Sequence, residues 1–252
     1  MRRLARTLGT LMILGGLGTL GWAVVVWQWQ DPITAAYTHY QQNKLESRYR
    51  DVFVRYQPVS PPAEVPVSVD RPRTGRKKPS PAAQRRWVAR EAKRYRLALD
   101  EGQPFAQLKV SRLGLSVIAV NGTTTDTLKK GPGRYAGPVA SYVPGEGQLV
   151  YVAGHRTTYG APFAHINRLR PGDPATVKLP YATFEYVITR HVIVESDDLS
   201  VLQSHGREVL ALQACHPRFF ASQRYIAYAK LVRVIPRGGR PYRVDGTRVA
   251  PA

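Results

Sequence analysis

Leu210-Ala211-Leu212-Gln213-Ala214-Cys215-His216-Pro217-Arg218-Phe219-Phe220-Ala221-Ser222-Gln223-Arg224 carries the one cysteine of the chain at the end of an apolar run. An arginine follows nine positions on (224 − 215 = 9). A run such as Val209 to Leu212 that ends in a polar break predicts a buried strand emptying into a loop. Side chains at strand ends, aimed by a rigid sheet into a cleft, are a common place for catalytic groups. A single cysteine makes no internal disulfide and supplies too few thiolates for a cysteine-based metal site. Two readings of Cys215 stand at this point: a nucleophile, or a small buried hydrophobe, since free cysteine is among the most buried residue types.

Outward from this stretch the chain alternates short β-type runs with turn residues. Leu108 to Val110, Leu115 to Val120, Gln148 to Ala153, Ala175 to Leu179, Thr183 to Thr189, Val192 to Glu195, Val209 to Gln213 and Tyr225 to Ile235 all predict strands. Asn121-Gly122, Pro144-Gly145 and Pro171-Gly172-Asp173 separate them as turns. Many short strands with regular punctuation predict a mainly β protein, a sandwich or closed barrel. Before them, Ala82 to Glu101 predicts a helix with Trp87, Val88, Ala98 and Leu99 as packing residues, ended by Gly102 and Pro104. The basic, Gly/Pro-rich tail from Arg237 is expected to be loose, with Asp245-Gly246 as a small hairpin turn.

The amino-terminal half predicts the compartment. No charged residue falls between Thr7 and Gln30, and Leu8 to Trp29 is dominated by Leu, Gly, Val, Ile and Trp. As a helix this stretch spans roughly 30 Å, a bilayer's hydrocarbon thickness. Arg2, Arg3 and Arg6 precede it, which predicts a cytoplasmic start and an exported remainder. Trp22, Trp27 and Trp29 lie toward its outer end, where interfacial aromatics prefer to sit. A signal peptide would have a shorter apolar region and a small-residue cleavage site, so a retained single-pass anchor is expected over residues 1–30. Asp31 to Tyr56 is mixed and partly helical, and His39 within it reads as an ordinary juxtamembrane polar residue. Pro58 to Pro81 holds seven prolines with Arg and Lys between them, a semi-rigid spacer that completes a linker over 31–81. The catalytic unit is then expected over 82–236 and a basic tail over 237–252. The positive residues behind the charge of +20 (37 − 17) cluster at Arg2, Arg3 and Arg6, at Arg71 to Lys78 and at Arg85 to Arg96, not beside stacking aromatics in a nucleic-acid module. It predicts attraction to anionic headgroups or an acidic wall, and no nucleic-acid partner.

An ordinary thiol, with a pKa near 8.5, is mostly protonated at neutral pH, so an acyl-transfer enzyme pairs it with a histidine and an oxyanion donor. His155 stands out among six histidines: Val150-Tyr151-Val152-Ala153-Gly154-His155-Arg156 is an apolar strand ending in Gly-His-Arg. His216 adjoins the cysteine, but neighbours along a strand point to opposite faces. Ser204-His205-Gly206 resembles the Ser-His-Gly before the cysteine of L,D-transpeptidases, yet Arg207 stands where that cysteine would follow.

Ala153-Gly154-His155-Arg156-Thr157-Thr158-Tyr159-Gly160-Ala161-Pro162-Phe163 resembles the histidine motif of sortases, class E sortases in particular. Leu212-Gln213-Ala214-Cys215-His216-Pro217 resembles their Thr-Leu-Thr-Thr-Cys-His-Pro motif, and Arg224 fits their arginine. Gly131-Pro132-Gly133 through Pro144-Gly145-Glu146 is similar to the region upstream of the histidine in that family. The resemblance covers roughly Phe105 to Pro236, and the anchor and linker match the family's layout. It implies a closed eight-stranded sortase-type β-barrel with short helices, and an enzyme. Cys215 would be the nucleophile, His155 the general acid and base, and Arg224 the donor that stabilises the oxyanion and positions substrate. The reaction implied is cleavage of the Thr–Gly bond in a Leu-Ala-x-Thr-Gly or Leu-Pro-x-Thr-Gly sorting signal, through a thioester. A peptidoglycan-precursor amine or a pilin lysine would then accept the surface protein. Tyr159, Thr158 and Ala214 are the expected substrate-binding residues. No metal and no cofactor is expected. Ala211, Gln213 and Ala214 replace the family's threonines, and the loss of a hydroxyl beside the nucleophile bears on substrate preference and turnover. The competing expectations are a sortase-like scaffold or wall-binding protein that has lost activity, and a plain cysteine hydrolase.

Overall fold

The computed structural model describes residues 2–29, 31–59 and 80–244. Eight strands run β1 Pro104–Val110, β2 Leu115–Asn121, β3 Gly133–Arg134, β4 Leu149–Ala153, β5 Pro174–Lys178, β6 Ala182–Glu195, β7 Val209–His216 and β8 Gln223–Pro236. Their order is β6-β5-β1-β2-β3-β4-β7-β8, and β6 pairs with β8 to close the barrel. The closed, mainly β architecture expected from the punctuation is therefore present. Closure removes the unpaired edges that an open sheet would expose.

Strand composition follows position in the barrel. In the first half of β6, Ala182, Phe184, Tyr186 and Ile188 are buried in alternation, the pattern of a strand with one face on the core. All five residues of β4 are buried. Val150 and Val152 join the main core inside the barrel, while Leu149 and Tyr151 join a second cluster with Ala140, Leu202, Ala211 and Ile226. A strand covered on both faces reads as a continuous apolar run. The two runs Thr183 to Thr189 and Val192 to Glu195 are one strand, interrupted only by register shifts at Glu185/Tyr186 and Ile188/Arg190.

Among the described residues four α-helices accompany the barrel: α1 Arg2–Trp29, α2 Pro32–Arg55, α3 Pro81–Leu97 and the short α4 Thr125–Leu128. α3 is shorter than the sequence suggested, so Ala98 lies past its end and is exposed. Ala92 and Tyr95 pack instead, beside Trp87 and Val88. The larger departure is α2. Asp31 caps it by accepting from the backbone N–H groups of Ile33 (3.0 Å) and Thr34 (3.5 Å), and Pro32 opens the first turn. The stretch expected to be partly helical within the linker is one helix over Pro32–Arg55, and it docks on the barrel. Thr38, Gln42, Leu45 and Tyr49 form one helical stripe. Leu45 and Tyr49 pack on Ile118 and Val120 of β2. Gln42 completes the fit: its amide donates to the carbonyls of Ile118 (2.9 Å) and Lys130 (2.7 Å) and accepts from the Ile118 N–H at 2.8 Å.

The described start of the tail, 237–244, is likewise tied down. Tyr242–Arg243 forms β9 against β8, and the Arg237 guanidinium donates to the carbonyls of Phe53 (2.6 Å), Tyr56 (3.3 Å) and Pro180 (3.3 Å). The turn joining β8 to β9 lies at 237–241, ahead of Asp245-Gly246, which falls outside the described residues together with most of the proline-rich linker.

Candidate active site

Three strands meet where the sequence placed its chemistry. β7 carries Cys215 and lies between β4 and β8. On one side Cys215 pairs directly with Arg224 of β8, and residues directly opposite in a ladder project from the same face. On the other side β4 runs parallel to β7, with Ala153 opposite Gln213 and the Gly154 N–H donating to the Gln213 carbonyl at 2.9 Å. His155 thus leaves β4 two residues beyond Ala153, level with Cys215 two residues beyond Gln213. The thiol is half-buried at this rim.

Arg156 fixes the two strand ends to one another. It is 6% exposed, and its guanidinium donates to the Cys215 carbonyl (3.1 Å) and the Asn167 side-chain oxygen (3.2 Å) and meets His216 Nδ1 at 2.8 Å. A guanidinium's rigid fork suits this bridging. His216 is thereby occupied on the far side of the strand from the thiol. The Arg224 guanidinium donates to the carbonyls of Ala221 (2.7 Å) and Gln223 (2.9 Å), and among the described residues it forms no ion pair with a carboxylate.

The loops after His155 and Cys215 hold the four non-glycine residues with left-handed backbone among those described: Tyr159 (φ 51°), Ala161 (φ 36°), Phe219 (φ 73°) and Ala221 (φ 56°). Such conformations cost energy in L-residues and collect at functional loops. Tyr159 is held from three sides. Its N–H donates to Thr34 Oγ1 of α2 at 2.8 Å, its ring meets Tyr37 edge-on at 6.3 Å, and it lies 5.1 Å from the His155 ring. It also lines a cleft of about 440 Å³ between α2 and the barrel, together with His39, Gln42, Ser116 and Gly160. Thr158 is half-buried beside it, its carbonyl accepting from the Ala161 N–H at 2.9 Å. Ala214 does not fit the substrate contact expected of it. It is fully buried and faces the barrel core with Leu210 and Leu212, because its side chain alternates away from the thiol. The missing hydroxyl is a change in the core.

Burial lowers the pKa of His155 below the usual 6.5, and among the described residues its Nε2 has no hydrogen-bond partner. The imidazole is therefore held neutral at physiological pH, with Nε2 buried and without a hydrogen-bond partner among the described residues. A folded pKa below the unfolded one makes this contribution to stability complete above about 6.5 and lost as pH falls through the folded value. NMR titration of the His155 ring in a Cys215→Ala background is expected to give a midpoint below 6.5, and a midpoint above 6.5 would contradict the burial argument. Gly154 is required just ahead of it: an added Cβ would lie 2.6 Å from Phe163 Cδ2 and 2.8 Å from Cε2. The Phe163 ring is fully buried and cannot swing aside. Gly154→Ala is expected to cost about 1–3 kcal/mol in urea unfolding and to displace His155 with it.

Among the described residues no cluster of three His, Cys, Asp or Glu side chains is placed to hold a metal ion.

A family model described as the sortase domain matches residues 108–232. Sortase D of Bacillus subtilis (strain 168) is 34% identical over 137 residues, covering 53% of this chain and 66% of the relative. Sortase SrtE1 of Streptomyces coelicolor is 31% identical over 158 residues, covering 57% of this chain and 45% of the relative. The chain thus spans just under two thirds of one of these curated relatives and about half of the other. The crystal structure of sortase E1 from Streptomyces coelicolor, with a tripeptide in the active site, aligns with a TM-score of 0.52 at 29% identity, over 56% of this chain and 95% of that one. A Sortase D5 transpeptidase of Clostridium perfringens shares the fold, with a TM-score of 0.56 at 21% identity over 77% of this chain and 99% of that one. The chain belongs to the sortase family. Sortases are cysteine transpeptidases, and the class E likeness read from the histidine and cysteine motifs has matching relatives, with class D members beside them.

Proposed function

We propose that the protein is a membrane-anchored transpeptidase that cleaves the Thr–Gly bond of a Leu-Ala-x-Thr-Gly or Leu-Pro-x-Thr-Gly sorting signal and passes the acyl group to an amine. The observation that carries this reading is the strand register: Cys215 sits on the middle of three paired strands, opposite Arg224 and level with His155. The neutral His155 takes the thiol proton, and the Cys215 sulfur attacks the threonine carbonyl. The Arg224 guanidinium, always charged and free of a carboxylate partner among the described residues, stabilises the oxyanion. The His155 imidazolium then protonates the leaving glycine amine and, once neutral, deprotonates the incoming amine. A peptidoglycan precursor or a pilin lysine supplies that amine and releases the surface protein from the thioester.

The helix α1 is long and apolar enough to cross a bilayer over Arg2–Val25, and none of that window is buried. With Arg2, Arg3 and Arg6 in the cytoplasm, a single-pass anchor holds the barrel on the outer face. In this reading the chain divides into an anchor at 1–30, a juxtamembrane segment and linker at 31–81, a catalytic unit at 82–236 and a tail at 237–252, with α2 and β9 packed on the barrel. Tyr159 and Thr158 line the substrate side of the site.

The test is ligation. The full chain in detergent micelles is given each sorting-signal peptide with an amine. Ligated product is expected, with the Leu-Ala-x-Thr-Gly peptide ahead. Cleavage without ligation would make the protein a cysteine hydrolase, and no reaction with either peptide would favour a scaffold.

A further inference from the structure

The loop that follows Cys215 exposes two adjacent aromatic rings, Phe219 at 52% and Phe220 at 82%. Neighbouring exposed phenylalanines are costly in water and call for a partner. Their place in the fold names it. Because β4 and β7 are parallel, the loop after His155 and the loop after Cys215 leave the same rim of the barrel. That rim is also where α2 begins: Thr34 accepts from the Tyr159 N–H at 2.8 Å. The helix α1 ends at Trp29, five residues before Thr34 (34 − 29 = 5). Even fully extended, five residues reach no more than about 18 Å. The end of the apolar helix is thus tethered close to the active-site rim. Exposed Ile33 and Tyr37, one turn apart, share a face of α2 near its start.

The charge around the loop fits one surface in particular. Arg218 follows Cys215 closely, and its Nε has no partner among the described residues. Partial burial, and after it the guanidiniums of Arg168, Arg218 and Arg156, hold the His165 pKa below the usual histidine value, so these cations lie together. Acidic side chains stand at the end of β6 on this rim as well: Glu195, which accepts from the Gln223 side-chain amide at 2.9 Å, and Asp197 and Asp198 after it. Apolar rings beside the Arg218 guanidinium, which lies 5.3 Å from the Phe219 ring centroid, and beside exposed Arg168 suit a bilayer interface bearing anionic headgroups.

We propose that the 217–222 loop, led by Phe219 and Phe220 and flanked by Arg218 and Arg168, docks into the anionic headgroup layer of the membrane that α1 spans, so that Cys215 works at the bilayer surface. This rests on the reading of α1 as a retained span. A docked rim confines the enzyme to bonds lying within a few residues of the membrane, and presents Cys215 and His155 to amine acceptors that are themselves lipid-linked.

The test uses the full chain with Cys215→Ala, which removes its one thiol, and a new cysteine for an environment-sensitive fluorophore. Ser222→Cys labels the loop and leaves both phenylalanines in place. His205→Cys labels the other end of β7, which lies roughly 25 Å away along the strand. Each protein is reconstituted into phosphatidylcholine vesicles with and without phosphatidylglycerol, and a headgroup-level lipid quencher is added. The Ser222 label is expected to be quenched and the His205 label not, with stronger quenching when phosphatidylglycerol is present. Phe219→Ser with Phe220→Ser is expected to abolish the difference. If the protein floats with the vesicles but both labels stay unquenched, docking is overturned while the anchor stands. If it fails to float, the anchor reading falls and docking with it. If the loop stays unquenched and the double serine variant weakens turnover of a soluble peptide, the rings belong to the substrate groove, which also overturns docking.

Discussion

Cys215→Ala is expected to lower amine ligation by at least about 10³-fold, some 4 kcal/mol of transition-state stabilisation, while leaving the unfolding midpoint close to that of the parent. The separation of the two effects follows from where the thiol lies. Cys215 is half-buried at the rim and outside the apolar core clusters, whereas Leu210, Leu212 and Ala214 on the alternate face fill the barrel. Truncating the thiol removes the nucleophile without opening a core cavity. A structural cysteine would behave in the opposite way, losing stability and keeping activity. Peptide ligation and urea unfolding on the same preparation read both quantities.

Glu208→Ala is expected to cost about 3 kcal/mol or more of folding stability, because it leaves several buried donors unpaired at about 1–3 kcal/mol each. Just before β7, the Glu208 carboxylate accepts from the N–H groups of Gly145 (2.8 Å) and Gly147 (3.0 Å) and from the Tyr186 hydroxyl (2.8 Å). It ties the Pro144-Gly145 turn to the opposite wall of the barrel. Gly145, at φ 102°, has no room for a side chain there: an added Cβ would lie 2.8 Å from Val88 Cγ1. Burial pushes the Glu208 pKa from the usual 4.5 up to about 7, against the pull of its donors. A folded acid with a raised pKa holds its proton where the unfolded chain has lost it, so stability falls as pH rises from about 4.5 to about 7. That slope amounts to up to about 3 kcal/mol across the window. In Glu208→Gln it is expected to disappear, and urea unfolding at a series of pH values measures it. An unchanged slope in the glutamine variant would place the titrating group elsewhere.

Much of the barrel was legible because its strands alternate or run apolar between clear turns, and Gly154-His155-Arg156 and Cys215 stood at strand ends. What escaped the sequence has physical reasons. α2 buries a stripe of only Thr38, Gln42, Leu45 and Tyr49, half of it polar, so its docking face leaves little hydrophobic signal. β6 was split in two because beyond Ile188 it leaves the core and carries Arg190 and His191, and charge in an exposed strand half looks like a turn. The roles of Arg156 and Glu208 left no mark in the sequence, since nothing local reveals partners some 60 positions away (215 − 156 = 59; 208 − 145 = 63). Ala214 was placed beside substrate by adjacency to Cys215, although adjacency along a strand means opposite faces. The period of two was the signal that could have corrected it.

The most direct test of the account is the intact mass of the full chain after brief exposure to a sorting-signal peptide without an amine, followed by peptide mapping. A mass gain equal to the peptide's acyl portion through threonine, mapped to Cys215 and discharged by hydroxylamine, is the predicted result. An unmodified protein that still consumes the peptide, or an adduct on any other residue, would contradict it.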